Sequence, residues 1–448
     1  MSCDWERRRL SDLITVKHGF AFKGEHFSED ATPHVLVTPG NFAIGGGFQV
    51  GKKKFYSGPV PESYVLKPGD LMVTMTDLSK QCDTLGYSAV LPAGLDDTYL
   101  HNQRIGLVQL REGVDVSRRW VYYLLRTKEY RDWIVGSATG STVKHTSPSR
   151  ICEFTAAVPP RAVQDAIANV LDPLEESIAA LKAEAALADA ISCRLFRSWV
   201  ARFDHVRAKA SGETPSGVAQ ALLDLLPATL EETAHGQLPA GWSFESLDDN
   251  IRYLNGLALQ KYPPVAGEPT WPVLKISQLK AGRTDASILA SRKMKPEFVV
   301  NDGDIVFSWS GSLEVRLWTG GPAALNQHLF KVTSATHPAW YCYEATRMHL
   351  DSFRGTAADK ATTMGHIQRH HLTEAKVAVP PPELMAKLGL KFEPLFRLVV
   401  TNGQTVRALE AVRDHLLPRL MDGRLSPTGA ADSLTGSSDE GAPVLLAA

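Results

Sequence analysis

Between Phe154 and Leu171 the chain passes from a short apolar run, through a pair of prolines, into apolar residues at helical spacing, FTAAVPPRAVQDAIANVL. It does so again from Ala375 to Leu390, AKVAVPPPELMAKLGL. Beyond the first proline pair, Ile167, Leu171, Leu174, Ile178, Leu181, Ala185 and Ala188 step alternately by four and three, the spacing of a coiled-coil seam. Beyond the second, Leu395, Val399, Asn402, Val406 and Leu409 keep the same phase. Proline cannot continue a central strand but fits the first turn of a helix, so each VPP marks a junction of strand and helix. The pattern predicts two helices of roughly 40 residues, about 60 Å each at 1.5 Å per residue. Neither can bury its seam alone, so they are expected to pack on each other, antiparallel if the halves are related by a twofold. Asn402 stands where the first copy has Leu181; it either fixes the register of the seam or faces solvent.

Ahead of each proline pair lie short runs rich in β-branched and aromatic residues, punctuated by Gly and Pro. PHVLVTPGNF, LMVTMT and IGLVQL in the first half answer to WPVLKISQL, DIVFSW and HLFKVTS in the second. They predict strands of a mixed sheet, with a helix around Arg118 to Trp133. The halves align at a constant offset near their ends and a drifting one before it. Val158, Pro159 and Pro160 lie 221 residues before Val379, Pro380 and Pro381, and His145 lies 221 before His366. The offset is 224 for Asn102 and Gln103 against Asn326 and Gln327, 234 for Gly69 and Asp70 against Gly303 and Asp304, and 237 for Trp5 against Trp242.

The chain therefore reads as a duplication of class α/β (α+β): two globular domains of mixed sheet and helices, joined by two long antiparallel coiled-coil helices with a pseudo-twofold internal repeat. The expected segments are a first domain over 1–158, a helix over 159–203, a linker over 204–237, a second domain over 238–379, a second helix over 380–425, and a disordered tail over 426–448.

Composition narrows the function classes. The 448 residues carry a net charge of −1, so a nucleic-acid partner would have to be met by local basic faces. Five cysteines without paired spacing, a charged N-terminus and no run of 18 apolar residues point to a cytoplasmic protein with no membrane partner, disulfide scaffold or metal site.

Several motifs carry candidate chemistry. GGFQVGKK, Gly46 to Lys53, approaches a phosphate-binding loop, but Lys53 stands where a Ser or Thr should bind magnesium and no helix pattern follows. A turn before KKKFY is the better reading. HIQRHH offers His366 and His370 at zinc-ligand spacing without a third ligand, and the aspartates of NDGD read as a turn. No nucleophile elbow, methyltransferase motif or paired catalytic carboxylate occurs.

Basic and amide clusters recur at matched places instead: Lys52, Lys53 and Lys54; Asn102, Gln103 and Arg104; Lys144 and His145; then Arg292 and Lys293; Asn326 and Gln327; His366, Gln368 and Arg369. Cations of this kind contact phosphate, while Asn, Gln and Arg read base edges. These residues are the expected DNA-binding set, with Lys144, His145, His366 and Arg369 placed on the backbone phosphates.

The order of these motifs resembles a known family. LPAGWSFESLDD, WPVLKISQL, VVNDGDIVFSWSGS, ALNQHLFKV and VAVPPPEL, preceded by WERRRLSDL, GFAFKGEHF, LKPGDLMVTMTDLS, LHNQRIGLVQL, GSTVKHTS and VPPRAVQDAIANVL, are similar to the specificity subunit of type I restriction-modification systems, over Trp5 to about Leu425. Of the Glu-Gln pair usual after the prolines, the first copy keeps only Gln164 and the second neither.

The resemblance implies a non-catalytic subunit whose two target recognition domains each read half of a bipartite double-stranded DNA sequence. The helices would set the spacing and dock two DNA methyltransferase (modification) subunits, to which restriction/translocase subunits add. S-adenosylmethionine, ATP and magnesium would then belong to the partners, and this chain would carry no cofactor. The rival readings are an autonomous DNA-modifying enzyme, a scaffold without DNA contact, and a DNA-recognition subunit of a related phage-defence complex without classical restriction.

Overall fold

The strands of the two halves pair in the same register. In the computed structural model, which describes residues 5–79, 82–215, 217–285, 287–359 and 365–435, Glu6–Arg9 lies antiparallel to Thr155–Val158 with Glu6 opposite Val158. Ser243–Ser246 lies antiparallel to Lys376–Val379 with Ser243 opposite Val379. These pairs are related by the sequence offsets 237 and 221. Likewise His18 faces Gly106 and Asn255 faces Phe330, while Val73 faces Gly106 and Phe307 faces Phe330. The drift in offset is absorbed in connections and never in a ladder, since a one-residue slip would turn each buried face outward.

Each half carries two four-stranded sheets. One is antiparallel: Ile14–His18, Ile105–Leu110, Leu71–Thr74 and Ser88–Val90 in the first half, Arg252–Asn255, Leu329–Thr333, Ile305–Ser308 and Glu314–Leu317 in the second. The other is mixed, with His34–Leu36 parallel to Thr98–Leu100 and Thr270–Leu274 parallel to Ala323–Leu325. The chain divides into two compact units, Met1–Glu176 with Glu410–Ala448, and Ser177–Leu409. Leu10, Leu71, Ile105, Trp120 and Tyr130 are buried in the first; Phe307, Trp340, Tyr341, Leu388 and Phe392 are buried in the second.

The long helices run from Arg161 to Phe196 and from Pro382 to Met421, each starting directly after its proline pair. Gln164 locks the first junction: its Nε2 donates to the Pro159 carbonyl at 2.8 Å and its Oε1 accepts the Ser117 amide at 2.7 Å. Met385, the matched residue of the second copy, is buried without needing that bond. Ile167, Leu171, Leu174, Ile178 and Val406 are buried and Leu181, Leu395, Val399 and Leu409 half-buried, as a heptad seam requires. Within the second unit Asn402 meets Leu181 and Phe392 meets Phe196, so the helices run antiparallel there. The open question about Asn402 resolves toward the seam: it is buried, and its Nδ2 donates to Glu184 Oε2 at 2.7 Å and to the Leu181 carbonyl at 3.4 Å.

The stretch 204–237, expected as a linker, folds onto the second unit through helices Asp204–Ala210 and Gln220–Leu223, with Val206, Leu222, Leu223 and Leu226 in its core. The expectation of a disordered tail from residue 426 is corrected for its first part. Pro427–Thr435 is a helix whose first turn is held by the Ser426 hydroxyl accepting the Gly429 amide, and Ala430 is buried. Residues 436–448 lie outside the described residues. No helix among the described residues is long and apolar enough to cross a membrane.

GGFQVGKK is a turn with no helix after it. Gly46 takes φ +93°, and a Cβ there would fall 2.6 Å from Arg126 Nε. Arg126 is buried, donates to the Gly45 carbonyl at 2.7 Å and pairs with Glu175 at 2.7 Å; a charge can be buried only with such partners. In NDGD, Asp304 does cap a turn by accepting the Asn301 amide. Asp302 goes further, forming a bidentate pair with Arg407 at 2.7 and 2.8 Å that ties the second domain to its helix.

Candidate nucleic-acid interface

Three segments converge in each half, and a glycine permits their approach. In the first, the strand Ile14–His18 exits through Gly19 and Phe20, which run parallel to the NQ turn. The Phe20 amide donates to the His101 carbonyl and the Gln103 amide to the Phe20 carbonyl, both at 2.9 Å. In the second, Leu257 makes the same pair of bonds with Leu325 and Gln327, also at 2.9 Å. A Cβ on Gly19 would fall 2.0 Å from the Asn102 carbonyl oxygen, and one on Gly256 2.3 Å from that of Asn326. The third segment leads to the proline pair. Lys144–His145 pairs with Thr76–Asp77 in the first half, and His366 bridges Ser310 in the second. The Met75 amide bonds the Arg104 carbonyl and the Thr146 amide bonds the Met75 carbonyl, closing the junction.

Two of the expected DNA-contacting residues also shape the turn. Asn102 and Asn326 are buried, and their side-chain oxygens accept the amides of Arg104 at 3.0 Å and His328 at 3.3 Å. These bonds close the NQ turn in each half. The residue after each, Gln103 or Gln327, is half-buried at the junction, followed by exposed Arg104 or half-buried His328.

In the second half His328 is central. Its Nδ1 lies 3.1 Å from Ser310 Oγ and its Nε2 3.3 Å from Gln327 Nε2. Its ring packs against Trp309, which donates from Nε1 to Asn255 Oδ1 at 3.1 Å and contacts His366. Asn255, Trp309 and Ser310 were not singled out from the sequence; the match of Trp309 to Met75 across the repeat was the available signal.

The other expected residues divide between this junction and places away from it. His145 faces it, with Nδ1 3.2 Å from Thr76 Oγ1. Lys54 sits beside Arg104 and over the Phe27 ring at 3.8 Å; partial burial and then the Arg104 charge lower its pKa. Lys53 is held by Asp97 at 2.6 Å and its pKa is raised by that hydrogen bond, while exposed Lys52 pairs loosely with Glu29 at 3.8 Å. Arg292 stacks on Trp271 at 3.8 Å and Lys293 pairs with Glu268 at 2.7 Å, just beyond the edge strand Leu289–Ser291 of the mixed sheet. Arg369 is exposed and donates to the Tyr253 carbonyl at 3.3 Å; Gln368 caps its helix. His101, within the NQ turn, stays neutral near pH 7: burial pushes its pKa down to about 4 against the opposing bond to the Ile105 carbonyl.

His366 and His370 do not share a helix face, because the helix begins only at Arg369. His370, His371 and Glu374 instead bring three possible ligand atoms within 4.8 Å of one another. His371 Nδ1 accepts the Gln368 amide at 2.9 Å. That cap keeps the proton on Nε2, where a metal would need a lone pair.

The same polar junction is thus built twice, once in each half of the chain. No protein-family model matches the chain. Among curated proteins it is 23% identical over 334 residues to the MjaIX specificity subunit of a type I restriction enzyme from Methanocaldococcus jannaschii, covering 69% of each. It is 21% identical over 378 residues to the HindI specificity subunit of Haemophilus influenzae, covering 73% of this chain and 82% of that one. It is 27% identical over 181 residues to the EcoBI specificity subunit of Escherichia coli, covering 40% and 34%. Among solved structures, the type I restriction-modification S subunit from M. genitalium covers 93% of this chain and 96% of its own, with a TM-score of 0.48 and 15% identity. The chain is thus similar, over most of its length, to specificity subunits of type I restriction enzymes.

Proposed function

We propose that this chain is the specificity subunit of a type I restriction-modification complex, each domain reading one half of a bipartite double-stranded DNA target. The observation that supports it best is the repeated junction: glycine, NQ turn and pre-proline segment come together in both halves with matched backbone bonds. Around that constant frame the polar and aromatic groups differ, exposed Arg104 and half-buried Lys144 in one half against half-buried His328 and Trp309 and exposed Arg369 in the other, so the two half-sites differ. The long helices set the distance between half-sites and dock two methyltransferase subunits. Those partners bring S-adenosylmethionine, the restriction/translocase subunits bring ATP and magnesium chemistry, and this chain supplies no catalytic group. Near-neutral charge fits such a division, because partner subunits can supply part of the phosphate attraction.

The test is the salt dependence of DNA binding by the complex of this chain with its methyltransferase. Lys144→Ala and Arg369→Ala should each weaken cognate and noncognate binding alike and reduce the log-log salt slope by about 1. Loss confined to cognate DNA would assign these two residues to base reading instead.

A further inference from the structure

The repeat provides its own comparison for what one domain has added. The strands Leu71–Thr74 and Ser88–Val90 are joined by residues 75–87, whereas their counterparts Ile305–Ser308 and Glu314–Leu317 are joined by 309–313. The longer connection belongs to the junction, since its Thr76–Asp77 pairs with Lys144–His145. It is braced at both sides. Asp77, 3% exposed, accepts the Ser79 amide at 2.6 Å, the Thr84 amide at 2.5 Å, the Thr84 hydroxyl at 2.9 Å and the Leu85 amide at 3.0 Å. Arg131 stacks on Tyr87 at 3.9 Å and donates to the Cys82 carbonyl at 2.7 Å.

Between these braces Leu78 is 63% exposed. A single exposed leucine is common on protein surfaces. Here, however, a buried carboxylate is spent on fixing the backbone on its C-terminal side, and the strand pair on its N-terminal side carries the proposed phosphate contacts. The shorter connection of the second domain presents Trp309 at the corresponding edge, also apolar but tied to Asn255.

We propose that Leu78 is a specificity-determining residue of the first domain and reads the C5 methyl group of a thymine in the first half-site. The inference rests on the reading of the domains as DNA-recognition units. The thymine methyl is the apolar group that base pairs present in the major groove, and an apolar side chain held there loses little entropy on contact because its backbone is already fixed. Asp77 is the positioning residue of this contact.

The experiment measures binding of the chain, complexed with its methyltransferase, to duplexes in which each thymine of the first half-site is replaced in turn by uracil, which lacks only the methyl. One replacement should weaken wild-type binding about fourfold, the transfer preference of one buried methyl group. Leu78→Ala should lose a similar factor on the thymine duplex and no longer distinguish uracil, while sensitivity to changes in the second half-site stays as in the wild type. Leu78→Met, equally apolar and unbranched at the same exposed position, should retain most of the discrimination. A first half-site without an A·T pair, an absence of any uracil effect, or equal uracil sensitivity in Leu78→Ala overturns the proposal. A Leu78→Ala loss that is the same on thymine and uracil duplexes overturns it too, in favour of a wedge between base steps. Failure of the complex to bind any bipartite site would instead overturn the functional reading beneath it.

Discussion

Inserting one heptad into each long helix, after Glu176 and after Leu409, is expected to lengthen the undefined gap between the half-sites by about three base pairs while leaving both half-sites unchanged. Seven residues add ~10 Å at 1.5 Å per residue, against 3.4 Å per base step. A seven-residue insertion preserves the phase of the seam, so Ile167 to Ile178 and Leu395 to Leu409 stay on the buried face. The positions follow from the packing. Between them and the first domain lie the ties of Glu175 to Arg126 and Arg413; on the other side lie those of Asp189 to Arg347 and of Arg407 to Asp302. Cutting between residues 403 and 407 would strip Arg407 from its domain. Methylation mapping in a host carrying the insertion variant checks the outcome, and a well-folded variant that modifies its site with an unaltered gap would assign the spacing to something other than the helices.

The second large effect is expected at two glycines. Gly19→Ala or Gly256→Ala places a methyl about 2 Å from a backbone carbonyl oxygen, that of Asn102 or Asn326, and backbone cannot rotate away as a side chain can. The NQ turn must separate from its neighbour, breaking the paired amide bonds of the residue after the glycine, Phe20 or Leu257. Unfolding in denaturant should show a loss of about 3 kcal/mol or more for either variant, at the upper end of overpacking costs. Gly136→Ala, in a helix with nothing within 4 Å of the added carbon, should be close to neutral. Each damaging variant should abolish recognition of its own half-site first. A Gly19→Ala protein of wild-type stability would remove the close approach on which the junction depends.

What could be read from the sequence was whatever repeats with a period. The seam is a local 4-3 pattern, and the duplication is a self-comparison that carries its own alignment. Offsets of 237, 224 and 221 reappear as ladder partners because an insertion inside a ladder would expose its buried face. The individual interface residues were not legible in this way. Asn102 and Asn326 look like base readers as residue types, yet their place in the turn is set by a parallel bridge to Phe20 and Leu257, some 80 and 70 residues away in sequence. Lys53, Arg292 and Lys293 form basic clusters in the sequence but are engaged by Asp97, Trp271 and Glu268, partners that no local pattern announces. Trp309 and Arg407 were passed over for the opposite reason: each stands alone in the sequence and gains its role from residues brought to it by the fold.

On the proposed reading, this chain tells a methyltransferase where to act by reading two separated half-sites. Genome-wide methylation mapping of a host carrying the partner methyltransferase, with and without this gene, tests it most directly. One asymmetric motif of two defined halves around an undefined gap is expected, methylated only when the gene is present. Methylation of the same motif without the gene, or a gene-dependent motif that is one continuous sequence, would contradict it.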